Sequence, residues 1–316
     1  MHKVLITATG TGTAFALATR LRANWGSSIK IIAADSNPEH LVTTSLLADR
    51  FIQIPLATSD KFDDVVYGIL ENENIDTYVP IINEEINKSG KYFQRFPKMD
   101  IWSSPLSARL AIDKAFAKTW LQSIPLPVPR KISFDDVELE RSYFVKPING
   151  FGSKGAQQLS GNEIINQIPA QDIQQFLIED LCEKPEITVD SFYDIRKGFG
   201  KAVARERIEI KSGVCTKARI FEDLVISSYA EKIAVSLAQR GTICFQIMRS
   251  HGEWVVTDIN LRPGAGTTMT VAAGVDVLAA AFACRWNEPY SKFLEKKIPQ
   301  NGVFVTRQYS EFLMTA

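Results

Sequence analysis

Gln246, Asp258 and Asn260 bring three oxygen-bearing side chains close in sequence to the guanidinium of Arg262. Gln246 lies in the apolar run 243–248, and Asp258 and Asn260 lie in or just beyond the run 254–259. Residues 249–252, an Arg-Ser-His-Gly turn segment, separate the two. Two short apolar runs around such a turn predict a β-hairpin with alternating side chains. Asp258 and Asn260 are two apart, so they share a face, and Gln246 on the facing strand can join them. Mg²⁺ takes hard oxygen ligands and completes its shell with water and nucleotide phosphates. An arginine where the strand ends can fork onto phosphate oxygens. The same residues also suit the solvated face of an ordinary hairpin, and this segment alone leaves both readings open.

Four further features precede the hairpin. Asp113 and Lys114 sit in a helical stretch, where a lysine is most often a surface charge. Phe144, Val145, Lys146 and Pro147 form a strand that leads into a loop with glycines at 150, 152 and 155, together with Ser153 and Lys154. Glycines let backbone N–H groups approach phosphate oxygens, and lysines neutralise their charge, so this loop could close as a lid or be a plain glycine turn. Next, an apolar strand ends at Glu179, and a second strand is expected to start at Glu186, after Leu181 and Cys182. That linker could meet an adenine edge and Glu186 the ribose hydroxyls; alone it reads as a charged loop. Last come the cations Arg205, Arg207, Lys217 and Arg219, which suit a solvated strand face or a phosphoryl or carboxylate group.

The elements that must position these residues fall into two parts. Residues 3–7, 29–34 and 77–82 read as strands, with helices over 13–24 and 62–72, an alternation that predicts a parallel sheet. A single helix is expected over 106–123. Pro125, Pro127 and Pro129 then make a stiff extended linker. Beyond it, strands at 143–147, 176–180, 187–192 and 201–210 and the hairpin outnumber two helices, at 228–239 and 275–285. We expect domains at 1–112 and 113–316, the second divided into a lid subdomain of about 125–190 and a C-terminal subdomain of about 191–316. An early Thr9-Gly10-Thr11-Gly12 turn, with Asp35 ending the next strand, has the setting of a dinucleotide fingerprint, but Phe15 stands at its third glycine position. Asn83, Glu84 and Glu85 form another polar strand end.

The chain has 316 residues, 36 basic against 36 acidic, so no global field draws nucleic acid or an anionic membrane. Its apolar stretches are too short to span a bilayer, and its start lacks a cleavage pattern, which makes a cytoplasmic protein the expectation. Cys182, Cys215, Cys244 and Cys284 form no CxxC pair and read as reduced thiols. Three histidines, His2, His40 and His251, have no metal-ligand spacing, which argues against a zinc hydrolase or a histidine triad.

Taken in order and spacing, these features resemble the ATP-grasp superfamily, most closely the branch of the carbamoyl-phosphate synthase large chain and related single-unit ligases. The resemblance implies an α/β N-terminal preATP-grasp (Rossmann-like) domain followed by an α+β ATP-grasp domain with a mostly antiparallel sheet. It implies Lys114 and Lys146 on ATP phosphates, Ser153, Lys154 and Gly155 in the lid, and Glu179, Leu181 and Cys182 around adenine, with Glu186 on the ribose. Gln246, Asp258 and Asn260 would hold Mg²⁺ (Mn²⁺ is admissible), and Arg262, Lys146 and Lys217 would stabilise the transferred phosphoryl group. Arg205, Arg207, Gly264 and Thr267 would line the substrate pocket. Asp258 stands where the family carries glutamate, and only one ATP-grasp unit is present, which argues against complete carbamoyl-phosphate synthesis. The expected chemistry is acyl-phosphate formation and ligation of small-molecule carboxylate and amine substrates. Bicarbonate or carboxylate phosphorylation without ligation, and a silent ATP-binding regulator, are the alternatives. Residues 275–285 could serve the core or a homodimer interface.

Overall fold

The computed structural model describes residues 1–148, 155–211, 213–299 and 301–315. Its first part runs β1 (His2–Ile6), α1 (Gly12–Trp25), β2 (Ile29–Asp35), β3 (Arg50–Gln53), α2 (Phe62–Asn72), β4 (Thr77–Val79), α3 (Asn83–Ser89) and β5 (Asp100–Ile101). The five strands make one parallel sheet in the order β3-β2-β1-β4-β5. Parallel strands buried on both faces need near-continuous apolar sequence, and β1 and β2 supply it. The Thr11 hydroxyl caps α1 by accepting from the Ala14 N–H at 3.3 Å. At the other end Gly26, at φ +53°, turns the chain out of the helix.

The helix expected over 106–123 is two helices, α4 (Pro105–Ile112) and α5 (Lys114–Ser123). Asp113 separates them with φ −111° and ψ 96°, and its Oδ1 accepts from the Phe116 N–H at 2.8 Å. A short carboxylate competes with the helix for its backbone and wins as an N-cap. Then come β6 (Ser142–Pro147), β7 (Gln157–Ser160), α6 (Gly161–Gln167) and β8 (Phe176–Asp180). They form a small antiparallel sheet, β7-β6-β8, over its own cluster of Ile132, Tyr143, Val145, Leu159, Ile164 and Ile178. β7 and α6 carry too few apolar residues to stand out in the sequence.

The remainder is β9 (Glu183–Asp194), β10 (Phe199–Lys211), β11 (Val214–Phe221), α7 (Leu224–Ser236), β12 (Arg240–Ser250), β13 (Glu253–Asn260), α8 (Thr267–Ala272), α9 (Val277–Arg285) and β14 (Val303–Thr306). Its six-stranded sheet is antiparallel throughout, in the order β13-β12-β9-β10-β11-β14. The second strand of the Glu179–Glu186 region starts at Glu183, three residues before the expected position, so only Leu181 and Cys182 link β8 to β9. One face of the sheet packs on α5 and α7 through Phe245, Ile247, Leu121 and Ile233. The other joins Phe192 and Val203 to Phe282 of α9, Leu17 of α1 and Ile6 of β1 in one continuous cluster. The edge strand β13 is covered by the proline segment, where the Val256 N–H donates to the Pro127 carbonyl at 2.8 Å.

Candidate functional site

The hairpin turn is narrower than the sequence suggests. It consists of His251 at φ +49° and Gly252 at φ +84°, the left-handed pair of a type I′ turn, which lengthens both strands. Gln246 then faces Asp258 directly, and the register shifts so that Ile247 faces Val256. Thr257 is the extra residue of this bulge, and its carbonyl accepts from Lys146 Nζ at 3.3 Å. Asn260 Nδ2 lies 3.5 Å from Asp258 Oδ2, at the limit of a hydrogen bond. Thus the hairpin gathers the three expected oxygen side chains on one face, opposite the face packed by Phe245, Ile247 and Ile259.

Two lysines meet this face. Because Asp113 caps α5, Lys114 is its first residue, and the Lys114 N–H donates to the Ile148 carbonyl after β6 at 3.1 Å. Burial, and then the charge of Lys146, pull the Lys114 ammonium below its ordinary value, against the pull of Asp258. Burial pushes the Asp258 carboxyl above the usual range even though Lys146 and Lys114 act the other way. That carboxyl is therefore under-compensated as an anion, and a divalent cation beside it would restore its charge. One carboxylate with two amide oxygens fits a metal shared with a phosphate chain better than an all-protein cage. Among the described residues no group of three His, Cys, Asp or Glu side chains is placed to hold a metal ion by itself.

Lys118, one turn beyond Lys114, was invisible in the sequence. Its Nζ pairs with Glu179 Oε1 at 2.6 Å and donates to the Pro129 carbonyl, while Lys146 Nζ pairs with Glu179 Oε2 at 2.8 Å. Glu179 is 2% exposed, so a buried carboxylate holds two ammonium groups across α5, β6 and β8. The only signal in the sequence is an i, i+4 lysine pair on a helix, which ordinarily lies on the surface.

Residues 172–306 match a family model described as "ATP-grasp in the biosynthetic pathway with Ter operon". The chain is similar in structure to the N5-carboxyaminoimidazole ribonucleotide synthetase of Thermotoga maritima, at TM-score 0.69 and 17% identity over 93% of this chain and 78% of that one. The chain has the ATP-grasp fold. The biotin carboxylase domain of 2-oxoglutarate carboxylase from Hydrogenobacter thermophilus, solved with MgADP, ADP and bicarbonate, is similar at TM-score 0.74 and 14% identity, over 93% and 72% of the two chains. An L-amino acid ligase from Bacillus licheniformis is similar at TM-score 0.70 and 13% identity, over 93% and 76%. No curated protein sequence matches the chain.

Within the ATP-grasp fold the other expected site residues separate. Leu181 is exposed and Cys182 half-buried in the two-residue link after β8; burial and then Glu179 push the Cys182 thiol up to about 11. Glu186 is paired with Arg207, which also donates to the Gly213 carbonyl. Gly155 has φ +73°; Ser153 and Lys154 lie outside the described residues. Lys217 is not at the site. Alternation along β11 turns it to the sheet face opposite Gln246, where it pairs with Glu209 at 3.0 Å.

Arg205 is not an open substrate ligand either. It is 3% exposed, with Nε 3.3 Å from Asp190 Oδ2, and Asp190 also accepts from Thr267 at 2.8 Å and Thr270 at 2.6 Å. Thr267 is thus spent on anchoring α8. Gly264 lies beside the Cys244 sulfur, and a Cβ on Gly266 would come within 2.3 Å of Arg205 Nη1. Arg307, which the sequence did not single out, reaches the same loop and donates to the Ala265 carbonyl at 2.7 Å and to Thr268 at 2.6 Å. In the early glycine turn, Asp35 Oδ2 already accepts from the Gly10 N–H at 2.7 Å, so that amide is not open to a phosphate.

Proposed function

We propose that this chain is an ATP-dependent carboxylate–amine ligase that works through an acyl phosphate. A substrate carboxylate oxygen attacks the γ-phosphorus of ATP, the bond from that phosphorus to the β,γ-bridging oxygen breaks, and ADP leaves. An amine nitrogen then attacks the acyl carbon, the carbon–oxygen bond to phosphate breaks, and inorganic phosphate leaves with the amine proton passing to solvent. The observation that carries this reading is the convergence of Lys114, Lys146 and Asp258 where α5, β6 and β13 meet, braced by the Lys118–Glu179–Lys146 bridge.

Each residue has a physical part. Lys114 and Lys146 offset charge on the phosphate chain, and Arg262, directly after the hairpin, meets the transferred phosphoryl group. Gln246, Asp258 and Asn260 are the groups that would hold Mg²⁺, or Mn²⁺, which when bound withdraws charge from the phosphate oxygens. Leu181 and Cys182 offer backbone groups to adenine, and the second oxygen of Glu186 is available to the ribose. Such catalysis is electrostatic and positional, and no side-chain nucleophile is required.

The family model and the ligase neighbours support the reading. The test is ADP and phosphate release over paired acids and amines, with mass spectrometry of the product. Asp258→Asn and Arg262→Ala should each cut ADP release at least about a hundredfold with the fold intact. Wild-type turnover by either variant would sink the assignment. ADP release that needs no amine would favour the bicarbonate or carboxylate kinase reading. Mg-ATP binding without turnover would favour a regulator.

A further inference from the structure

A cleft of about 300 Å³ lies between the carboxyl ends of β4 and β5 and the start of β12, and it ends at Arg262. Among the described residues, six buried side-chain atoms have no hydrogen-bond partner, and all six belong to residues lining this cleft. Four are donors: Trp102 Nε1 and the Nε atoms of Arg240, Arg262 and Arg285. Two are acceptors: Asp100 Oδ2 and Gln239 Oε1. Buried polar groups are rarely left unpaired, and six such atoms just beneath the wall of one concavity, carried by side chains that line it, point to a ligand that draws them out.

The chemistry of the set is specific. Asp100 Oδ1 pairs with Arg285 at 2.5 Å, while no described carboxylate pairs with Arg240 or Arg262. The cleft is thus net positive and rich in N–H donors. A dicarboxylate satisfies the guanidinium groups but leaves Asp100 Oδ2 and Gln239 Oε1 facing only acceptors. An ammonium group in the same molecule satisfies both. Gly241, whose φ of +122° favours glycine, lets Arg285 come close, since a Cβ there would lie 3.2 Å from Arg285 Nε.

We propose that this cleft binds an acidic amino acid as the acyl donor of the reaction, with one carboxylate at Arg262, the other at Arg240 and Arg285, and its ammonium on Asp100 and Gln239. The assignment of donor role rests on the ligase reading above, since Arg262 joins the cleft to the phosphate site; recognition of the amino acid does not.

The experiment is calorimetric titration of the full chain, with Mg-ADP present and absent, using L-glutamate and L-aspartate against glutarate, 4-aminobutyrate and L-glutamine. One of the two acidic amino acids should bind at least about tenfold more tightly than its analogues lacking an ammonium or a carboxylate. Trp102→Phe keeps an aromatic ring against Phe282 and removes the unpartnered N–H with the five-membered part of the indole, and Arg240→Gln removes a charge. Both should weaken that binding, Arg240→Gln by about tenfold or more, and leave Mg-ATP binding unchanged. The cleft assignment is overturned if neither acidic amino acid binds, if glutarate binds as well, or if binding ignores both substitutions, which would mean water alone fills the cleft. If glutamate or aspartate binds through Arg240 but Mg-ATP does not bind at all, the ligase reading falls and the cleft assignment stands.

Discussion

Glu179 holds two ammonium groups while almost wholly buried, so each lysine matters to more than its own ligand. Replacing Lys118 by methionine leaves Glu179 with one partner in a desolvated place. Breaking a buried pair in this way costs about 3 kcal/mol, so Lys118→Met should lower the urea midpoint markedly, as followed by circular dichroism. A midpoint like that of the parent chain would mean that water reaches Glu179. Glu85 makes a different single-residue prediction. It is 3% exposed, its Oε2 accepts from Thr7 Oγ1 at 2.7 Å and the Ile81 N–H at 3.1 Å, and burial raises its carboxyl from 4.5 to about 7. The native chain therefore holds a proton that the unfolded chain releases between those values. Stability from this group is complete below about pH 4.5, falls as pH rises towards 7 and then levels, a change on the order of 3 kcal/mol. Glu85→Gln should flatten the pH dependence of denaturant stability in that window; an unchanged slope would show that Glu85 is not its source. The shared face of Gln246, Asp258 and Asn260 was legible because strand periodicity alone sets it. The sequence did not reveal Lys118 or Arg307, since a lysine or arginine gains its meaning only from the distant group it reaches.

Among the elements, the break at Asp113 decides most about the site. A continuous helix over 106–123 was a reasonable expectation from its alanine, leucine and lysine content, and local propensity does not report which aspartate will cap. Asp113→Ala removes the cap at a cost of about 1 kcal/mol and frees the start of α5, so Lys114 should lose its aim. Weaker Mg-ATP binding beyond the stability loss, measured by calorimetry, is the expected result; unaltered affinity would show that the tie from Lys114 to Ile148 suffices. The bulge at Thr257 and the Leu181–Cys182 link escaped the sequence for a related reason: register is set by neighbouring strands. The same cause explains Lys217, which has the right charge on the wrong face. The small sheet of β6, β7 and β8 has its own apolar cluster and touches the hairpin through Lys146. Mg-ADP should therefore slow amide exchange in β6 and β8 more than in β10 and β11, and equal protection of all four would argue against nucleotide between the sheets.

For the whole molecule, the alternation of strands and helices followed by antiparallel strands was legible from periodicity alone. The way the two parts join was not. Trp286 after α9 stacks on His2 at 4.2 Å and donates to Thr77 at 2.9 Å, while Trp25 donates to Glu288 at 2.8 Å. Arg20 pairs with Asp276 at 2.7 Å across the same boundary. Residues 1–112 by themselves would expose part of the cluster that Leu17, Leu21 and Val4 share with α9. That fragment should bind a hydrophobic dye and aggregate, whereas the full chain should melt in one calorimetric transition. A soluble, cooperatively folded fragment would contradict the shared core.

The same joint constrains how the chain can be rebuilt. α9 carries Arg285 into the cleft with its C-terminal turn and packs Phe282 between the two parts. A transplant that exchanges the first hundred residues for those of another protein of this fold would therefore inherit a mismatched seam. The exchangeable module is not contiguous in the chain: it is the parallel sheet, ending at Ile101, together with a helix that starts only at Val277, and a working chimera has to move both.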